Sequence, residues 1–266
     1  MTSLMCWTGV DQRRNSSLYL ASDSRISTPT GGWNAGRKLF ACKFSPDVLG
    51  YCGEAFFPTT VLGQIAESID LGLLYGPEDS LTIRLNRIIE TLQNSLVDYF
   101  YENVRFDVIY GSRSGSEMES NFHVVLISCR EKQIQWRILP TPEKSDLVLV
   151  IGSGKDSVNK SVYNWRDSDA AGTSRMFFSA FWDAVESGDD PRTAGPPQLV
   201  GIYRKGPAKT FGIIYNGGRF INGHSLGNEI QTDAVKWHNE LFEICDGNSK
   251  LRKPTAQLQP RPLNLE

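Results

Sequence analysis

The order of patterns along the chain predicts an α+β fold of four layers, αββα, with two antiparallel sheets stacked between helical layers. Two observations carry this expectation. Short apolar runs joined by tight turns fill the beginning, the middle and the region near residue 200, as in antiparallel sheet rather than a βαβ repeat. Two pairs of consecutive stripes with helical spacing interrupt those runs, so that strands, two helices, strands, two helices and strands follow one another.

The first strand runs from Ser3 to Gly9, the polar segment DQRRNSS turns the chain, and LYLAS from Leu18 to Ser22 returns it. Leu39 to Phe44 and Val48 to Cys52 follow, separated by the turn Ser45-Pro46-Asp47. From Pro58 the period changes: Val61, Leu62, Ile65 and Ile69 share one helical face, and Leu81, Leu85, Ile88, Ile89, Leu92, Leu96 and Phe100 form a longer stripe. Strand patterns resume at Phe106 to Tyr110, His123 to Ile127, Ile134 to Leu139 and Leu147 to Ile151. Helical patterns then occupy Asp156 to Asp167 and Thr173 to Ser187. Two further strands, Leu199 to Tyr203 and Phe211 to Tyr215, precede a last helix expected at about Glu229 to Cys245. Residues 1–245 read as one domain, and residues 246–266, with three prolines and no sustained period, as an extended or disordered tail. A solvated terminus is the simpler reading of that tail. Docked across a neighbouring subunit, it would use Leu258, Leu263 and Leu265 as anchors.

Composition excludes several classes. A net charge of -2 with scattered Lys and Arg offers no electrostatic footprint for nucleic acid. Five cysteines (Cys6, Cys42, Cys52, Cys129, Cys245) without CxxC spacing fit free thiols in a reducing compartment, not a disulfide framework or a zinc site. No secretory signal pattern opens the sequence and no apolar stretch approaches the ~18 residues of a membrane span, so a cytoplasmic protein is expected.

Familiar catalytic spacings fail. Gly152-Ser153-Gly154-Lys155-Asp156 lacks the earlier glycine and the final Ser or Thr of a phosphate loop, no GxSxG elbow is present, and His123, His224 and His238 make no metal or triad spacing. No cofactor or metal is implied. A different set of residues makes chemical sense. Thr2, once Met1 is removed, carries a nucleophilic hydroxyl and its own base, because the α-amine has a reference pKa near ~8. A nearby lysine lowers that pKa further and holds positive potential where negative charge develops, and Lys38 is the candidate. Asp23, at the end of the second strand, is typed to keep the lysine charged and oriented.

These residues stand in a recognisable frame. Asp23-Ser24-Arg25-Ile26-Ser27 ends an apolar strand; Arg37-Lys38-Leu39-Phe40 begins the next; the turn Gly50-Tyr51-Cys52-Gly53 follows; Gly152-Ser153-Gly154 comes after LVLVI; and Asp190-Pro191-Arg192-Thr193-Ala194-Gly195 precedes a late strand. In this order the five elements, spanning residues 2 to about 245, resemble the proteasome β-subunit family of N-terminal nucleophile (Ntn) hydrolases, with its bacterial relatives of the heat-shock double-ring and Anbu types. The resemblance implies the Ntn-hydrolase fold and a threonine-type peptidase that forms an acyl-enzyme on Thr2. It implies that Lys38 tunes the Thr2 amine, that Asp23 pairs with Lys38, and that Ser153, Asp190 and Thr193 surround the amine. The backbone N–H of Cys52 or Gly53 would form the oxyanion hole, where losing a donor typically costs ~2.7–4 kcal/mol in barrier. Ser27 would bind extended substrate backbone as an added strand. Peptide or unfolded-protein substrates, a homo-oligomeric ring or open spiral and an ATP-dependent unfoldase partner are implied in the same way. Two alternatives stand beside the peptidase: a catalytically silent scaffold subunit, and an amidase of another Ntn branch acting on a small amide. The first hairpin is longer than in the bacterial members, Cys52 occupies a normally small position, and Thr193 replaces the commoner serine. Phe177, Phe178, Phe181 and Trp182 are helix-face hydrophobes expected either to serve assembly or to fill the core of the single chain.

Overall fold

The computed structural model describes residues 2–28, 30–229, 232–259 and 261–262. β1 (Ser3–Val10) and β2 (Asn15–Ser22) form the first hairpin, and β3 (Ile26–Thr28) and β4 (Gly31–Trp33) a small one of their own. β5 (Leu39–Ala41) and β6 (Asp47–Gly53) lead to α1 (Phe56–Asp70) and α2 (Leu81–Val97). β7 (Arg105–Ser114), β8 (Asn121–Arg130), β9 (Gln133–Leu139) and β10 (Asp146–Gly152) precede α3 (Lys155–Trp165) and α4 (Ser174–Glu186). β11 (Gln198–Tyr203) and β12 (Lys209–Thr210) complete the two main sheets, ordered β10-β1-β2-β11-β12 and β5-β6-β7-β8-β9 with every neighbouring pair antiparallel.

The layers explain why β1 reads as an almost unbroken apolar run. A strand covered on both faces has no solvent side on which polar residues would alternate. Leu4 and Cys6 of β1, with Leu18 and Leu20 of β2, face Leu39, Val48, Ile109 and Val124 of the other sheet. Met5 and Trp7 point the opposite way, into a cluster with Val158, Phe177, Phe178 and Phe181 of α3 and α4. On the far side, Leu62 and Ile65 of α1 and Ile88 and Leu92 of α2 pack on Phe40, Leu49, Tyr51 and Phe106. The αββα order of layers is therefore the one expected. The N-termini of α2 and α4 are capped: Ser80 Oγ accepts from Ile83 N, and Thr173 Oγ1 accepts from Met176 N, each at 3.4 Å. Phe177, Phe178, Phe181 and Trp182 lie in the protein's own core, at most 7% exposed, so they present no face for assembly.

The expected helix from Glu229 to Cys245 does not form; Ile230 and Gln231 lie outside the described residues. The chain instead builds a third sheet from β13 (Gly212–Tyr215), β14 (Gly218–Ile221), β15 (His224–Leu226), β16 (Trp237–His238) and β17 (Ile244–Cys245). The edge of β13 supplies the backbone partners that a helix would find internally: β16 runs parallel to it, and Gly212 N donates to Lys236 O at 2.9 Å. Burial of the Trp237 ring, whose Nε1 donates to Thr232 O at 2.7 Å, and a left-handed backbone at Phe242 (φ 59°) complete the departure from helix. From Asp246 the chain has no helix or strand among the described residues, yet it is fastened. Gln259 N donates to Glu243 Oε1 at 2.8 Å, and Arg261 Nη2 to Asp183 Oδ1 at 2.7 Å. Leu258 is exposed, while Leu263 and Leu265 lie outside the described residues.

Candidate active site

Asp23 follows the last residue of β2 and Lys38 precedes the first of β5, so stacking the two sheets places them opposite each other. Lys38 Nζ donates to Asp23 Oδ1 at 2.8 Å, with the side chains 1% and 0% exposed. The same oxygen accepts Ser3 N at 2.9 Å, and Oδ2 accepts Arg25 N at 2.9 Å and Ala194 N at 3.2 Å. Four donors on one buried carboxylate meet the condition under which a buried ion pair persists. Burial pulls the Lys38 ammonium below its ordinary pKa, and the charge and hydrogen bond of Asp23 work against that pull. Thr2, itself buried, sits one residue before the Ser3 N–H. β10 ends against it: Gly152 has φ +103°, and a Cβ there would lie 1.7 Å from Thr2 O, so only glycine fits.

A second group adjoins the first. Ser153 Oγ and Thr193 Oγ1 both donate to Asp190 Oδ2, at 2.6 and 2.8 Å. Thr193 has one hydroxyl proton and spends it on Asp190, so Ser3 Oγ is the donor in its 2.7 Å contact with Thr193 Oγ1. Burial pushes the Asp190 carboxyl up, but the two hydroxyl donors, together with the backbone N–H and charge of Arg192, hold the group below the usual carboxylate range. Gly154 leaves room for this chain, because a Cβ there would stand 2.1 Å from Ser3 Oγ and 2.7 Å from Thr193 Oγ1. The two groups meet at Ser3, whose N–H belongs to one and whose hydroxyl to the other.

The first group opens toward a cleft of about 770 Å³ lined by Thr2, Lys38, Ser27 and Gly53, with Trp33, Phe56, Phe100 and Tyr101 along its walls. Of the two oxyanion-hole candidates, Gly53 borders this cleft with φ +103°, whereas the Cys52 side chain is sunk between the sheets. Burial pushes the Cys52 thiol up to about 12 and raises that of Cys6, which disfavours the thiolate in both. Ser27 lies on β3 with a buried Oγ that has no hydrogen-bond partner among the described residues. No histidine lines the cleft among the described residues; His123 Nε2 is 2.8 Å from Ser114 Oγ, and His238 stacks on Phe242. Sequence reasoning missed Ser3 and Gln198. A hydroxyl opening an apolar strand and an amide opening Leu199 to Tyr203 were the available signals, but neither names its partners.

No protein-family model matches the sequence, and no curated protein matches it. Solved structures do. An Anbu mutant from Hyphomicrobium sp. strain MC1 superposes with a TM-score of 0.51 at 16% identity, covering 79% of this chain and 87% of that one. Eukaryotic HslV from Trypanosoma brucei gives 0.45 at 12% identity, covering 75% of this chain and 99% of that one. The likeness to Anbu is one of fold: this chain is an αββα sandwich of the Ntn-hydrolase type, the architecture that its proteasome-like motifs imply.

Proposed function

We propose that the protein is an N-terminal threonine hydrolase that cleaves peptide bonds through an ester on Thr2, after removal of Met1, which lies outside the described residues. The observation that carries this reading is the meeting of Lys38 Nζ and the Ser3 N–H on one buried oxygen of Asp23, directly behind Thr2 at a cleft. Such a pair fixes a positive charge beside a terminal amine that must be neutral to act as base.

In the reaction, Thr2 Oγ1 attacks the substrate carbonyl carbon while its proton passes to the Thr2 amine. The negative charge that develops on the carbonyl oxygen is met by the Gly53 backbone N–H and the Lys38 potential. Collapse breaks the C–N bond, and the amine returns the proton to the leaving nitrogen. Water then attacks the ester, giving its proton to the same amine; as the bond from the acyl carbon to Thr2 Oγ1 breaks, the amine returns that proton to Oγ1, and the acid leaves. Ser153, Asp190 and Thr193 position the amine, and Ser27 on its short strand takes part in binding extended substrate. Peptide or unfolded protein is the substrate class, in a cytoplasmic homo-oligomer, ring or spiral, served by an ATP-dependent unfoldase. Support for the substrate class and the assembly comes from the motif resemblance and the shared fold.

Intact mass of the purified protein, with and without a threonine-directed electrophile, tests the reading. A chain lighter by the initiator methionine that gains one adduct, and a Thr2→Ala variant that gains none, are the expected results. An adduct on the variant, or retention of Met1 in protein that hydrolyses peptide, would overturn it.

A further inference from the structure

The geometry points to Gln198 as a positioning residue that fixes the Lys38–Asp23 pair, an assignment that rests on the reading of Thr2 and Lys38 above. Gln198 opens β11, lies opposite Ser22 of β2 and is 0% exposed. Its Oε1 accepts the Lys38 backbone N–H at 3.0 Å. Its Nε2 stands 2.7 Å from Gly36 O, 2.9 Å from Ser24 Oγ and 3.2 Å from Asp23 O. Ser24 cannot replace it as donor, because the Ser24 hydroxyl proton goes to Pro196 O at 2.5 Å.

One amide thus holds the backbone of both members of the ion pair. The need for it follows from topology. Between Asp23 and Lys38 the chain leaves on the β3–β4 hairpin, which pairs with neither large sheet. The base of that excursion is closed by Gly36 N donating to Ser24 O at 2.9 Å and by the Gln198 amide. An apolar side chain of the same length would leave the Lys38 N–H and two or three acceptors unmatched in a dry interior. The hairpin base would then open and carry the ammonium away from Thr2. A tethered charge displaced by about 1 Å is enough to cost ~100-fold in rate.

The test uses the full chain with Gln198→Met and Gln198→Glu, assayed for Thr2-dependent peptide hydrolysis across pH. The Met variant is expected to lose ~100-fold in kcat with KM little changed. Its pH profile should shift as well. With Lys38 less close, the limb that reports the Thr2 amine moves to higher pH, which NMR titration of that amine reads without activity. The Glu variant keeps the acceptor for Lys38 N but lacks the amide donors until its carboxyl is protonated. Its rate relative to wild type therefore rises as pH falls. Wild-type kcat and an unmoved limb in folded Gln198→Met, or a lowered melting temperature as the only change, would overturn the assignment. Should the Met variant not fold, a Glu variant whose relative rate is flat with pH overturns it instead. The parent reading fails separately: a Thr2→Ala protein that hydrolyses peptide like wild type removes the reaction itself, whatever Gln198 does.

Discussion

Lys38 Nζ lies 2.8 Å from Asp23 Oδ1 in a setting where neither side chain exceeds 1% exposure. Removing one partner of such a pair leaves an uncompensated buried charge. Lys38→Ala is therefore expected to destabilise the fold by about 3–5 kcal/mol, read as a lower denaturant midpoint. Adding Asp23→Asn should recover part of that loss, so the double variant is less destabilised than the sum of the singles. Strict additivity in the cycle would show that the two groups do not act as a unit. Peptide hydrolysis should be lost in Lys38→Ala at temperatures where the variant is still folded.

The hydroxyl chain from Ser3 through Thr193 to Asp190 predicts a steric effect at Gly154. The Cβ added by Gly154→Ala would stand 2.1 Å from Ser3 Oγ, so Ser3 or the turn between β10 and α3 must shift. Overpacking of this kind typically costs about 1–3 kcal/mol. Hydrolysis should fall further than the stability change accounts for, since the displaced groups adjoin Thr2. Thermal melts set beside kcat at a temperature well below the transition check both parts; a fall in melting temperature with unchanged kcat would place this chain outside the working site.

Cysteine chemistry gives a negative control. Burial pushes the Cys52 thiol up to about 12, so iodoacetamide at neutral pH should leave hydrolysis intact. Cys52→Ala should likewise remain active, with a Thr2-dependent rate. Loss of activity that tracks alkylation of Cys52 would instead make the thiol the reactive group.

His238 predicts the sign of a pH effect on stability. Burial lowers its pKa from 6.5 to about 4, with the nearby Lys236 pushing the same way and hydrogen bonds at Phe242 and Glu243 opposing. Between those values the unfolded chain binds a proton on this ring that the folded chain does not. Stability therefore falls as pH drops from 6.5 toward 4 and levels off below, by about 3 kcal/mol in all at 1.36 kcal/mol per pH unit. Denaturation of wild type and His238→Gln at pH 7, 5.5 and 4 measures the difference, which should shrink steadily as the pH falls. A constant gap between the two proteins would assign the pH dependence elsewhere.

Much of this protein is fixed locally. The apolar runs of β1, β2 and β10 and the helical stripes of α1 to α4 are set by side-chain period alone, because each element must turn one or both faces to a core. The segments around Thr2, Asp23, Lys38, Ser153, Asp190 and Thr193 stood out only as an ordered set that resembles the proteasome β-subunit family, since each residue taken singly reads as an ordinary turn or surface group. Tertiary structure decided the rest. Whether residues 232–245 became helix or strand depended on the free edge of β13, which no local pattern announces. That Gly53 lines the cleft while the Cys52 side chain packs between the sheets is likewise a result of how the sheets stack. Ser3 and Gln198 gained their places through partners far off in sequence, as in Ser3 to Thr193 at a separation of 190 residues and Gln198 to Gly36 at 162. A sequence shows that a polar group enters the interior; stacking the two sheets determines which donor or acceptor it finds there.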